Sequence, residues 1–191
     1  MKKISLKPDR LMYPRPIYLA GVKVGGKVNF MAVGGGGVAN GEPPMLSMNI
    51  RHHQHTLKGV FETKVFSINI PSADLIKETD YCGIVSGVKV DKVAACGFKI
   101  FYGKLPDAPF IEQCPVNLGL RVAHLLNLGS HTLVIGEVME TLVSEDCLSD
   151  GKPDARKIKA MIYSQSPEQY FAFGEYLGKP HGIGLELKGK A

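Results

Sequence analysis

A chain of 191 residues, 45% apolar and 21% charged, has enough apolar mass for one substantial core and the balance of an ordinary soluble globular protein. Its net charge of +5 suits a phosphate-bearing ligand but, with no long basic run, is too small for a nucleic-acid-binding protein. No apolar stretch approaches the roughly 18 residues of a membrane span, and Lys7, Pro8, Asp9 and Arg10 stand where a signal peptide needs an apolar core, so a cytoplasmic location away from the membrane is expected.

No repeat or low-complexity linker divides the chain, and a single domain over residues 1–191 is expected. Ile17 to Val24 and Lys27 to Val33 are β-rich runs separated by Gly25-Gly26, a hairpin signal. Four glycines follow, Gly34 to Gly37, and then the turn Asn40-Gly41-Glu42-Pro43-Pro44. Met45 to Ile50 reads as another short strand. Leu57, Val60 and Phe61 then take helical spacing, with Thr56 as the expected N-cap and an end near Lys64. Val65 to Ile70 is a β-branched strand that closes at Pro71. Ser72 is placed to cap a second helix that Gly83 stops. From Val93 onward strands are expected to dominate, and Val116 to Leu126 and His131 to Val143 flank Asn127 to Ser130 as a second hairpin. Short strands with glycine turns and two or three helices indicate a mainly β, antiparallel barrel rather than a βαβ sheet. The cysteines, Cys82, Cys96, Cys114 and Cys147, form no CxxC element and read as mostly buried, reduced thiols.

Two glycine motifs fail on context. Gly34 to Ala39 matches G-x-G-x-x-A, but Asn40-Gly41 and Pro43-Pro44 leave no room for the helix that a dinucleotide fold starts there. Gly21 to Lys27 matches G-x-x-x-x-G-K, but Val28 has no hydroxyl for magnesium.

The densest chemistry is Arg51-His52-His53-Gln54-His55-Thr56-Leu57-Lys58, between a strand and a helix start. Backbone N–H groups are unpaired at such a start and the helix dipole favours an anion. Arg51 can grip phosphate oxygens through two N–H groups at once, and Gln54, His55 and Thr56 can each donate. A solvated basic loop is the plain alternative. A metal site is a third, although His53 and His55 share a face only on a strand, His52 and His55 only on a helix, and no nearby carboxylate or Cys completes a shell. The glycine run offers either a flexible loop or a wall where backbone approaches a flat ligand. Ser86-Gly87 with Asp91-Lys92 is a further candidate, Lys92 standing either as a neutralising charge or as a surface lysine.

In order along the chain, Asn29-Phe30-Met31-Ala32, Pro43-Pro44-Met45-Leu46-Ser47-Met48-Asn49-Ile50-Arg51, Phe66-Ser67-Ile68-Asn69-Ile70, Cys82 to Gly87 leading to Asp91-Lys92, Cys114-Pro115-Val116-Asn117, His131 to Val138 and Tyr170 to Gly178 resemble the flavin reductase-like, FMN-binding split-barrel family and its flavoredoxin branch. The resemblance runs from about Tyr13 to Gly184. It implies a six-stranded antiparallel Greek-key split barrel with a few flanking helices, and a homodimer with FMN near the dimer interface. By position it implies that Met31, Ala32, Val33 and Gly34 line the isoalloxazine ring and that Ser47 and Asn49 follow the ribityl chain. Arg51, Gln54, His55 and Thr56 would hold the phosphate, while Ser86, Gly87 and Lys92 close the site. Relatives often carry an aromatic or Thr within the segment that is Gly34 to Gly37 here, and Pro where this chain has His52.

The resemblance further implies electron transfer through FMN, with NADH or NADPH as donor, and no acid–base dyad is needed because the flavin carries the chemistry. The alternative it leaves open is a flavoredoxin-like carrier, reduced by a redox protein partner and lacking a nicotinamide site.

Overall fold

The computed structural model describes residues 1–188, so the last three positions of the expected 1–191 span lie outside the described residues. Gly25 and Gly26 have φ of 54° and 77°, the left-handed pair that a tight two-residue hairpin requires. They fold β1 (Tyr18–Val24) onto β2 (Lys27–Val33). With β3 (Gly36–Asn40), β4 (Met45–Arg51), β5 (Val65–Ile70), β6 (Val116–Asn127) and β7 (His131–Val143) they form a seven-stranded sheet. All pairings are antiparallel and the order is β2-β1-β5-β6-β7-β4-β3.

The extra strand over the expected six arises because the second half of the glycine run pairs with β4, Gly36 opposite Met48 and Gly37 opposite Ser47. β2 and β3 are the two outer strands, yet only Gly34 and Gly35 separate them. Three chain steps span at most about 10 Å, so the sheet must curl until its edges meet there. The fold is an antiparallel barrel split at that seam.

Of the four α-helices among the described residues, the first three flank it and the last, Ala155–Ile158, is a single turn. α1 (His55–Thr63) carries the chain from β4 to β5 and ends on Lys64 with φ 57°. Gln54, not Thr56, is its N-cap, so Thr56 lies inside the first turn and is buried. Ser72 leads into a short 3₁₀ turn, Ala73–Leu75, without a side-chain cap, and α2 (Ile76–Ile84) runs one residue past Gly83. α3 (Lys92–Cys96) corrects the expectation of strands from Val93. The Asp91 carboxylate accepts from the Ala94 N–H at 3.1 Å, and Gly97 closes the helix with φ 62°.

Strand alternation divides the apolar residues between two clusters. Tyr18, Ala20, Val22, Met31, Met48, Ile50 and Phe66 pack inside the barrel with Leu57 and Val60 of α1. On the other face of β1 and β2, Leu19 and Phe30 pack with Cys82, Phe98, Ile111 and Cys114. Burial there pushes the Cys82 and Cys114 thiols up to about 12. All four cysteines are free, three buried and Cys96 half-buried. A separate small sheet pairs Ile162–Gln165 with Arg15–Pro16 and with Glu168–Phe171. No described helix is long and apolar enough to cross a membrane.

Candidate functional site

Along β4 the side chains alternate: Met48 and Ile50 are fully buried in the core, and Ser47, Asn49 and Arg51 take the opposite face. Repeating every ~7 Å, these three line one side of a cavity of about 790 Å³. Met31, Ala32, Val33 and the glycine run line the other. The run is packed, not loose. A Cβ on Gly36 would stand 2.2 Å from the Ser47 carbonyl oxygen and the Tyr18 hydroxyl oxygen, and one on Gly34 would stand 2.7 Å from the Tyr163 ring. Around Gly37 there is open space. Tyr163 therefore supplies, from the small sheet, an aromatic surface against the glycine segment.

A second hollow of about 200 Å³ adjoins the first, and Met31 and Gln54 line both. Its walls include His55, Thr56, Ser86, Gly87 and Lys92. The turn that joins the two is locked by its own bonds: the Arg51 N–H donates to Gln54 Oε1 at 2.9 Å and the Gln54 N–H to the Arg51 carbonyl at 3.0 Å. At the start of α1 the Leu57 N–H donates to the Gln54 carbonyl at 3.1 Å, which leaves the His55 and Thr56 N–H groups at the positive end of the helix dipole. Asn29 Nδ2 donates to Thr56 Oγ1 at 2.9 Å. Two buried polar atoms at this hollow, Asn29 Oδ1 and His55 Nδ1, have no partner among the described residues. Buried polar groups are rarely left so: Asn29 Oδ1 calls for a donor, and His55 Nδ1 donates or accepts according to its tautomer. Lys92 is not a surface lysine. It is buried, its ammonium donates to the Phe30 and Cys82 carbonyls at 2.8 Å each, and desolvation lowers its pKa.

The mouth of the large cavity is electropositive. Partial burial lowers the pKa of His131 first, and then Arg51, Arg10, His52 and His53 lower it further. Among the described residues the ion pairs are Lys23–Asp107 and Lys99–Glu112, both away from Arg51. Glu168 is the one carboxylate lining either hollow. His52 and His53 are both exposed, and it is His53, not His52, that joins His55 at the small hollow. The helical pairing of His52 with His55 fails because both lie at or before the helix start. No group of three potential metal ligands occurs among the described residues.

The model of the family described as "flavin reductase like domain" matches residues 10–167. The fold superposes on a flavoredoxin from Methanosarcina acetivorans with a TM-score of 0.93 and 36% identity, covering 98% of this chain and 100% of that one. Against the flavoredoxin of Desulfovibrio vulgaris (Miyazaki F) the values are 0.90 and 34%, covering 96% and 100%. The chain belongs to the flavin reductase-like family, on its flavoredoxin branch. An uncharacterised protein of Archaeoglobus fulgidus is 31% identical over 112 residues, 59% of this chain and 63% of that protein, so the match spans less than two thirds of that relative.

In this flavin reductase-like chain every residue anticipated from the sequence borders one of the two hollows. Met31, Ala32, Val33, Gly34, Ser47, Asn49, Arg51 and Gln54 border the large one, and His55, Thr56, Ser86, Gly87 and Lys92 the small one. Sequence reasoning missed Asn29, Tyr163, Glu168 and the arm Arg10 to Pro16. Asn29 opens the Asn29 to Ala32 stretch and was within reach. Tyr163 carries no local signal, because it arrives through pairing with Arg15. The Arg15 guanidinium ties that arm down, donating to the Met12 carbonyl at 3.1 Å and also to Gln165 Oε1 and the Arg10 carbonyl. Together the residues form a flat slot, polar partners along β4, and an end rich in donors and positive charge.

Proposed function

We propose that this chain is an FMN-dependent oxidoreductase that holds the flavin ring in the large cavity and its phosphate in the small hollow. The observation that carries this is the partnerless buried His55 Nδ1 at the start of α1, together with Arg51, which pairs with no carboxylate among the described residues, on the turn just before it. Bound FMN would supply the redox chemistry, taking a hydride or electrons and releasing them singly or in pairs. The chain's own residues bind and orient. Arg51 gives charge-assisted bonds to phosphate oxygens, Gln54 fixes the turn that presents it, and Thr56 and His55 add donors. Ser47 and Asn49 offer hydrogen bonds along the same strand face. Glycine backbone at 34–37 lets a ring approach closely, and Tyr163 closes the slot behind Gly34.

The donor in this reading is NADH or NADPH, delivered to the open side of the slot in a cytoplasmic enzyme. Val38 and Leu128, at the cavity rim and 81% and 60% exposed, are covered by a second copy of the chain in a homodimer. Likeness to two flavoredoxins over nearly the whole chain favours a second reading, a flavoredoxin-like carrier reduced by a redox protein partner. Anaerobic stopped-flow mixing of the FMN-loaded protein with NADH and NADPH separates them. Bleaching at a catalytically useful rate supports the reductase, and no bleaching by either nucleotide supports the carrier. Light scattering on the same sample should give a dimer mass, and a monomer mass with FMN bound contradicts the homodimer.

A further inference from the structure

We propose that Asp80 and Tyr170 are positioning residues whose hydrogen bond fastens the small sheet to α2 and so holds the Tyr163 ring against the slot for the flavin ring. The proposal rests on the flavin reading above and concerns the ring end of the site, not the phosphate. Tyr163 and Tyr170 stand opposite each other across the hairpin formed by Ile162–Gln165 and Glu168–Phe171. Side chains opposed in this way share one face of an antiparallel pair, and the two rings pack with centroids 5.8 Å apart and planes at 45°. Tyr163 also meets the glycine wall, where a Cβ on Gly34 would stand 2.7 Å from its ring, and it lines the large cavity. The Tyr170 hydroxyl donates to Asp80 Oδ1, on α2, at 3.0 Å. The pose of the aromatic wall is therefore set from a helix, through a second aromatic ring.

That bond reaches a firm part of the barrel. α2 packs on β2, and a Cβ on Gly83 would stand 3.4 Å from Ala32 Cβ, on a residue that lines the large cavity. The other side-chain hydrogen bonds of the hairpin stay within it or run to the N-terminal arm. Tyr163 donates to Glu168 Oε1 at 3.2 Å and Ser164 Oγ to the Pro167 carbonyl at 2.9 Å. Tyr13 donates to the Ser166 carbonyl at 2.8 Å, and Arg15 donates to Gln165 Oε1. Among the described residues, Tyr170 to Asp80 is thus the one side-chain hydrogen bond from the hairpin to a helix on the barrel. A backbone bridge between Ser72 and Ala160 anchors the chain just before the first hairpin strand. The Tyr170 bond anchors the second. Burial, and then Asp80, push the Tyr170 phenol up to about 12, so it keeps the proton it donates.

Two measurements on flavin-loaded protein test this: release of FMN and of riboflavin after rapid dilution, and the fluorescence of the bound flavin, which a tyrosine packed on the ring quenches. In Tyr170→Phe and in Asp80→Ala both flavins should leave about three- to tenfold faster, less than a buried bond to a charged group would give because Asp80 is exposed. Bound-flavin fluorescence should rise in both variants. The double variant should match either single one, since one bond is removed. Asp80→Asn keeps an acceptor oxygen and should stay within about twofold of the parent. Urea midpoints should not move, which separates a displaced wall from a damaged fold. Unchanged release and fluorescence, a loss confined to FMN, additive effects, or a fall in urea midpoint that accompanies the faster release each overturn the proposal. A parent that binds both flavins while the variants release them at its rate removes the proposal alone, whereas a parent that binds neither flavin removes the flavin reading with it.

Discussion

The small hollow is walled by side chains held by hydrogen bonds: Gln54 to the Arg51 N–H, Asn29 to the Thr56 hydroxyl, Lys92 to two backbone carbonyls. The long wall of the large cavity is walled by bare backbone, Gly34 to Gly37, and gets its aromatic surface from Tyr163, more than a hundred residues away in sequence. The two therefore differ in what a substitution does. In the hollow, a changed side chain alters charge and hydrogen bonding and should leave the barrel standing. In the glycine wall, a side chain added at Gly34 or Gly36 collides with its neighbours. Specificity is separable from stability in one region and inseparable in the other.

The largest expected effect tests the glycine wall. Gly36→Ala puts a methyl group 2.2 Å from the Ser47 carbonyl, which cannot retreat without giving up the β3–β4 pairing. Overpacking of that kind should cost on the order of 3 kcal/mol, read by urea unfolding, with FMN and riboflavin weakened in parallel. Gly37→Ala, which meets open space, should stay within about 1 kcal/mol. A Gly36→Ala variant as stable as the parent would break the comparison.

A smaller effect reads the support behind the hollow. Cys82 and Cys114 keep their protons to about pH 12 in the folded chain, while an unfolded thiol releases its proton near 9. In that window the folded state binds more protons, so stability falls as pH rises through it. Buried Tyr18, its pKa also raised, adds the same sign, and Lys92, with a lowered pKa, opposes it. Between pH 8 and 11 the Tm of the parent should drop more steeply than that of Cys114→Ala, by about a few degrees. Equal slopes would show that this thiol does not carry the effect.

The same division explains what could be read from the sequence. The hairpins, the β5 strand and the helix-start loop are built from neighbours in sequence, and paired glycines, period-two alternation and helical spacing announced them. Glycines 36 and 37 have no strand preference of their own; they pair because β4 lies alongside. Val93 to Cys96 is an apolar run that reads equally as strand or helix, and only Asp91 before it and Gly97 after it mark the helix. His52 and His53 stand in the turn between the end of β4 and a helix that begins at His55, so neither strand nor helical spacing governs where they face. Tyr163 and Glu168 belong to pairings far along the chain that no local pattern announces.

Paired titration of FMN and riboflavin into Arg51→Ala, with His52→Ala as the control beside it, tests most directly whether the turn from Arg51 to Gln54, where the two hollows meet, holds the phosphate. Loss of a charge-assisted hydrogen bond costs about 1.5–3 kcal/mol, so the FMN Kd should rise roughly 10- to 150-fold. Riboflavin should bind parent and variant alike within about threefold, and His52→Ala, an exposed side chain outside both hollows, should leave both flavins unchanged. An unchanged FMN affinity in Arg51→Ala, or an equal loss for both flavins, would contradict the assignment.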